Sequence, residues 1–280
     1  MNGLLIVGGL TVDHFTDGTA APGGSVLHAG RAAADEGAEL TFLTVAGDEP
    51  EARMGLARLA EMGRLVHQPA TASTTYRHDE TTGRRVLVYE AATDPIDPSF
   101  ADELPSPDVA LIAPIADELS AAALTRLERG LEPGRTVLLI QGWLRRLELA
   151  APVHPLPLDA VPDDLWSTFG RADAVVLSTE DLAEAAEDPF AQAAALRRRL
   201  GPRPLLVLTL GTDGYLLDDP ELDRIVAAVP RRVIEGVPTV GAGDTFGAAL
   251  AVHLGRGESP VAAADAATER VISVLEARRS

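Results

Sequence analysis

The sequence predicts an α/β protein with a mostly parallel central sheet covered by helices. Three observations carry this. Short apolar runs such as Leu4-Leu5-Ile6-Val7, Val109-Ala110-Leu111-Ile112-Ala113 and Leu205-Leu206-Val207-Leu208-Thr209-Leu210 have the continuous hydrophobicity of strands buried on both faces. Runs of this kind alternate with segments of helical spacing, the signature of parallel strands joined by crossover helices. The 280 residues, 46% of them hydrophobic, suffice for a sizeable core. We expect one domain over 1–280, with a small β flap contributed by about 10–24 and 70–92.

The first strand, Leu4 to Val7, ends at Gly8-Gly9, but the glycine pattern of a dinucleotide-binding turn is not completed. That argues against a nicotinamide oxidoreductase. Asp13 follows just beyond the strand's carboxyl end, where open α/β sheets take their ligands. Pro22-Gly23-Gly24-Ser25 is expected to open a helix running to about Glu36, with His28 on it. Leu40 to Val45 reads as the next strand. Asp48 is expected to cap a helix that has Pro50 in its first turn and ends near Gly63.

The stretches Thr74-Thr75-Tyr76-Arg77-His78 and Arg84-Arg85-Val86-Leu87-Val88-Tyr89 flank Asp79 to Gly83, a hairpin signal. Arg77, His78 and Arg84 of this pair could reach a ligand. Val109 to Ala113, a helix from about Ser120 to Arg129 and Thr136 to Ile140 continue the alternation. Gln141-Gly142-Trp143-Leu144-Arg145 leaves that last strand on the ligand side. Four prolines between Ala150 and Asp164 mark a surface excursion. Ala174 to Leu177 is followed by Ser178-Thr179-Glu180-Asp181, a sound capping arrangement leading into a helix. Gly211-Thr212-Asp213-Gly214 reads as a tight turn into Tyr215-Leu216-Leu217. Val233-Ile234 is strand-like, and Ser259-Pro260 starts a last helix to about Ala277.

Composition excludes several chemistries. No cysteine is present, which removes disulfides and thiolate sites, and no lysine, which removes a Walker A loop and a Schiff base. A net charge of −18 argues against nucleic-acid and anionic-membrane partners. No run approaches the ~18 apolar residues of a bilayer span, and the first residues lack the basic flank of a signal peptide, so a cytoplasmic protein is expected. It is expected to be a monomer or homodimer acting on a small molecule.

The most telling stretch is Pro238-Thr239-Val240-Gly241-Ala242-Gly243-Asp244-Thr245-Phe246-Gly247, running into an apolar helix. Free N–H groups of Ala242, Gly243 and Asp244 at a helix start make an anion seat, with a carboxylate at its rim. Such a pair can accept a proton from a hydroxyl attacking a phosphoryl group while the N–H groups hold the growing charge. The plain alternative is that Asp244 is a helix cap.

This stretch resembles the C-terminal signature of the ribokinase-like (PfkB) family of sugar and nucleoside kinases, D-[ST]-x-G-A-G-D-x-F, departing at Pro238. The resemblance implies a ribokinase-like three-layer sandwich with a reduced β lid, because about ten residues separate Asp13 from Gly23. It implies transfer of the γ-phosphate of Mg·ATP, with Asp244 as base and Gly241, Ala242 and Gly243 as anion hole. By the same resemblance, Asp13, Gly23 and Gly24 face the acceptor, where His28 stands near the family's asparagine. Thr209, Gly211, Gly214 and Ser178 fall where the family holds nucleotide phosphates, and Asp181 or Glu180 where it positions Mg²⁺. The Gln141 turn is similar to one in members near the inositol kinases. Pro238 argues against monovalent-cation activation. A non-catalytic ligand-binding protein on the same fold is the alternative.

Overall fold

A computed structural model describes residues 3–79, 86–183, 188–222 and 224–279. In chain order the elements are β1 (Leu4–Val7), β2 (Thr11–His14), β3 (Ala20–Gly23), α1 (Ser25–Asp35), β4 (Leu40–Ala46), α2 (Pro50–Met62), β5 (Arg64–Pro69), β6 (Thr74–Asp79) and β7 (Val86–Ala91). They continue with β8 (Val109–Ile112), α3 (Ala121–Leu131), β9 (Arg135–Leu139), β10 (Arg145–Arg146), β11 (Ala151–Pro152), β12 (His154–Pro155), α4 (Asp163–Phe169) and β13 (Ala174–Ser178). The last are α5 (Pro189–Leu200), β14 (Leu205–Thr209), β15 (Tyr215–Asp218), β16 (Ile225–Ala228), α6 (Ala242–Gly255) and α7 (Pro260–Arg279).

Nine strands form the central sheet in the order β16-β15-β14-β13-β9-β8-β1-β4-β5. The seven from β14 to β5 run parallel, and β15 and β16 add an antiparallel edge. Alternate side chains of β1 explain the layers. Leu4 and Ile6 join one apolar cluster with α1 and α6, while Leu5 and Val7 join a second with α3, α4 and α5. A strand apolar at every position is what burial on both faces requires.

Helix α6 is apolar on almost every side, and every residue from Asp244 to Val252 is buried. Such a helix belongs inside, and here it packs against both α1 and α7. This burial fixes where its first turn points.

A separate five-stranded sheet has the order β11-β7-β6-β2-β3 and stands over the carboxyl ends of the central strands. Its β2 and β3 are four residues each. The turn expected at 80–83, and Arg84 with it, lies outside the described residues.

Several expectations need correction. Gly23 closes strand β3, and only Gly24 stands at the start of α1. The residue before α2 is Glu49, not Asp48; Glu49 accepts from Ser73, whereas Asp48 accepts from Arg53 on the surface. The proline-rich excursion supplies β11 to the small sheet and pairs β12 with β10. Ser178 opens a single 3₁₀ turn at Thr179–Asp181, and the next helix, α5, begins at Pro189. Val233-Ile234 is irregular; the edge strand falls earlier, at β16, where register with β15 offers backbone partners.

Candidate active site

One cavity of about 950 Å³ opens at the carboxyl ends of the parallel strands, beneath the small sheet. It is lined by Asp13, Gly24, His28, Gln141, Ser178, Glu180, Asp181, Thr209, Gly211, Gly214, Gly241, Ala242, Gly243 and Asp244. The ligand-binding crevice of open α/β sheets lies at the same ends. Gly23 lies outside the lining, and its reason is indirect. A Cβ there would run into the Asp13 carboxylate and meet Thr11 Oγ1 at 2.8 Å, so only glycine lets Asp13 keep its place.

Asp244 lies in the first turn of α6, 6% exposed. The helix is capped by Gly241 in the left-handed conformation (φ 75°) with no side-chain cap. Asp244 is therefore not a helix cap. Its Oδ1 accepts from Gln141 Nε2 at 3.0 Å, and the same nitrogen donates to Ser25 Oγ at 2.9 Å. The anion seat differs from expectation in one respect: the Ala242 N–H donates to Thr239 O at 3.0 Å, closing a four-residue turn. Among the described residues no backbone acceptor takes the N–H of Gly243 or Asp244, which stay open to a ligand.

At the lid end, Asp13 receives Thr11 Oγ1 at 3.1 Å and stands 3.6 Å from His78 Nε2. His78 stacks on Phe15. His28 is half-buried, and a Cβ on Gly241 would collide with its ring. Burial lowers the pKa of His28, and Arg31 and Arg278 add to this against the opposing pull of Asp244 and Asp13. That shift favours the neutral ring, which can donate or accept a hydrogen bond to an uncharged hydroxyl.

Arg145 is a half-buried cation of this cavity. Its guanidinium lies 5.9 Å from the Tyr76 ring centroid and donates to Ile115 O at 2.8 Å, an oxygen that also accepts from Tyr76 at 3.0 Å. Burial works against its charge, but Tyr76, Asp181 and Asp244 outweigh that and hold its pKa above the usual value. Burial also pushes Tyr76 up to about 12. The Ile115 turn is itself anchored: buried Glu118 accepts from the N–H groups of Gly9, Ile115 and Ala116, each at 2.8 Å.

At the other end, Ser178 and Asp181 close a capping box, Asp181 Oδ2 accepting from the Ser178 N–H at 2.8 Å. Burial raises the Asp181 pKa, with Arg145 pulling it back. Glu180 is exposed at the cavity wall. Among the described residues no group of three or more acidic or histidine side chains could cage a metal. At this wall the described residues offer a cation the carboxylates of Glu180 and Asp181, a provision that suits Mg²⁺ held chiefly by phosphates and water. Beyond Thr209 and the Gly211–Gly214 turn, Val233, Ile234, Val271 and Leu275 give the cavity an apolar wall.

The model of the pfkB family of carbohydrate kinases matches residues 9–270. The chain belongs to that family. This pfkB protein is a kinase, and its fold is ribokinase-like. It is similar to a pyrophosphate-dependent ribokinase-family kinase solved with a pyrophosphate analogue and myo-inositol: 18% identity, 95% of this chain and 92% of that one, TM-score 0.74. It is also similar to Arabidopsis thaliana ribokinase solved with ribose and ATP: 16% identity, 99% of each chain, TM-score 0.72. A third is Vibrio cholerae fructokinase, at 19% identity over the full length of both chains and TM-score 0.67. No curated protein sequence matches this chain. Among the described residues, no helix is long and apolar enough to cross a membrane.

Sequence reasoning passed over Tyr76 and Glu118 and gave Arg145 no role. An arginine leaving a strand's carboxyl end in a chain without lysine was the available signal for Arg145. Glu118, amid Asp117 and a loop, offered none.

Proposed function

We propose that this pfkB kinase transfers the γ-phosphoryl group of Mg·ATP to a hydroxyl of a small sugar, cyclitol or nucleoside held between Asp13 and Asp244. The carrying observation is the Asp244 carboxylate, buried, free of any capping duty, oriented by Gln141 and adjacent to N–H groups that lack acceptors. Asp13 and neutral His28 would orient the acceptor's hydroxyls. Asp244 would take the proton of the attacking hydroxyl, and the Gly243 and Asp244 N–H groups would receive the charge on the transferring phosphoryl oxygens. The small sheet would exclude water from above. Glu180 or Asp181 would hold Mg²⁺, which would supply positive charge against the donor phosphates, through its water shell.

The apolar wall of Val233, Ile234, Val271 and Leu275 supports a nucleotide donor, because a purine has a surface to bury there and pyrophosphate has none. The acceptor reading leans to a cyclitol or nucleoside, since the −18 net charge and the acidic acceptor end suit a neutral polyol better than a phosphosugar.

The test is phosphoryl transfer from Mg·ATP, and in parallel from Mg·pyrophosphate, across a panel of sugars, inositols and nucleosides. Turnover with ATP and one acceptor, falling ~10²–10⁴-fold in Asp244→Asn with the fold intact, is expected. Near-wild-type turnover in that variant would remove Asp244 as base, and turnover with pyrophosphate alone would replace the donor.

A further inference from the structure

The segment from Pro230 to Val240 is irregular and largely exposed, yet it walls the cavity and leads directly into the anion seat. A segment with so little backbone hydrogen bonding needs something else to hold it. Its fastenings come from one helix. Arg231 faces Glu269 at 3.7 Å, Arg232 pairs with Glu276 at 2.7 Å, and Arg278 Nη1 donates to the Pro238 carbonyl at 2.6 Å. The first two are exposed ion pairs and hold weakly.

The third differs. Pro238 immediately precedes the turn that Ala242 N closes onto Thr239 O, and that turn presents Gly243 and Asp244. Arg278 makes no ion pair among the described residues, so no carboxylate competes with the carbonyl for it. Arg31 also lacks a carboxylate partner there; burial lowers its pKa, and repulsion from Arg58 and Arg278 adds to it. Positive charge therefore accumulates behind the seat in an otherwise acidic chain, and a carbonyl oxygen is the acceptor on hand.

We infer that Arg278 is a positioning residue for the anion seat: by fixing the Pro238 carbonyl it sets the start of the Thr239–Ala242 turn and so the aim of the Gly243 and Asp244 N–H groups. Its effect on turnover rests on the kinase reading above; its effect on the loop does not.

Two measurements test it on the full chain, with Arg278→Ala and Arg278→Lys. In hydrogen exchange, Arg278→Ala is expected to speed exchange of the Ala242 amide, the one that donates within the turn, at least about tenfold while amides deep in α6 keep wild-type rates. Unchanged exchange at Ala242 would overturn the inference whatever the enzyme does. In steady-state kinetics, kcat is expected to fall about tenfold, less than the ~10²–10³ for loss of a donor that touches the oxyanion itself, with acceptor KM unchanged. Lysine, or added methylguanidine with the alanine variant, should restore part of that loss. A kcat within twofold of wild type, or a loss that neither lysine nor methylguanidine repairs, would overturn the role in turnover. Asp244→Asn measured alongside separates this from failure of the base assignment.

Discussion

Gln141 donates through a single nitrogen to both Asp244, 3.0 Å away, and Ser25, 2.9 Å away. It comes off the end of β9, Ser25 opens α1 and Asp244 opens α6, so one amide joins three elements at the cavity. Replacing Gln141 by leucine keeps the bulk and removes the donor. A hydrogen bond to a charged group is worth ~1.5–3 kcal/mol, and part of that becomes misorientation of the base. We expect kcat to fall about tenfold or more, with acceptor KM changed less, as steady-state kinetics would show.

Gly241→Ala meets two obstacles. Its φ of 75° costs a side chain ~1–2 kcal/mol, and the added Cβ collides with the His28 ring. A lowered Tm and loss of turnover are expected. Shrinking His28 to alanine in the same chain should recover part of the Tm, and a double-mutant cycle in thermal denaturation would show that coupling.

His28 makes stability depend on pH. Its folded pKa lies below the ordinary histidine value, chiefly through burial, so the unfolded chain takes up a proton before the folded one does. Stability is therefore fully present above about pH 6.5 and declines as pH falls from there towards the folded pKa. His28→Asn should flatten that decline. Tm profiles of the two proteins that run parallel between pH 7 and 5 would contradict it.

Pro238 offers a carbonyl but no carboxylate where the family signature has aspartate. We expect turnover rates in K⁺ and Na⁺ at equal ionic strength to agree. A marked gain in K⁺ would show that a monovalent cation still finds ligands there.

The parts of this site readable in the sequence are those whose residue type and local spacing are sufficient explanation. Gly241 to Asp244 reads as an anion seat because small residues precede an apolar helix, and Asp13 because it follows a buried strand. What was not readable depends on partners distant in the chain. Arg145 acquires its setting from Tyr76, Ile115 and Asp181, and Glu118 from Gly9. Asp48 is the better cap by residue type, but Glu49 stands before α2 and is engaged by Ser73, a partner distant in the chain. Ala242 reads as an open donor until the turn onto Thr239 closes.

Strand β1 pairs with β4 on one side and β8 on the other, so it lies in the interior of the sheet, while α6, far downstream of it, packs over α1. Asp13 and Asp244 therefore come to line one cavity only once α6 has docked on α1. A nascent chain stalled before α6 leaves the apolar side of α1 uncovered, a surface that chaperones would have to shield. Activity should thus appear abruptly once α6 is in place instead of building up with chain length.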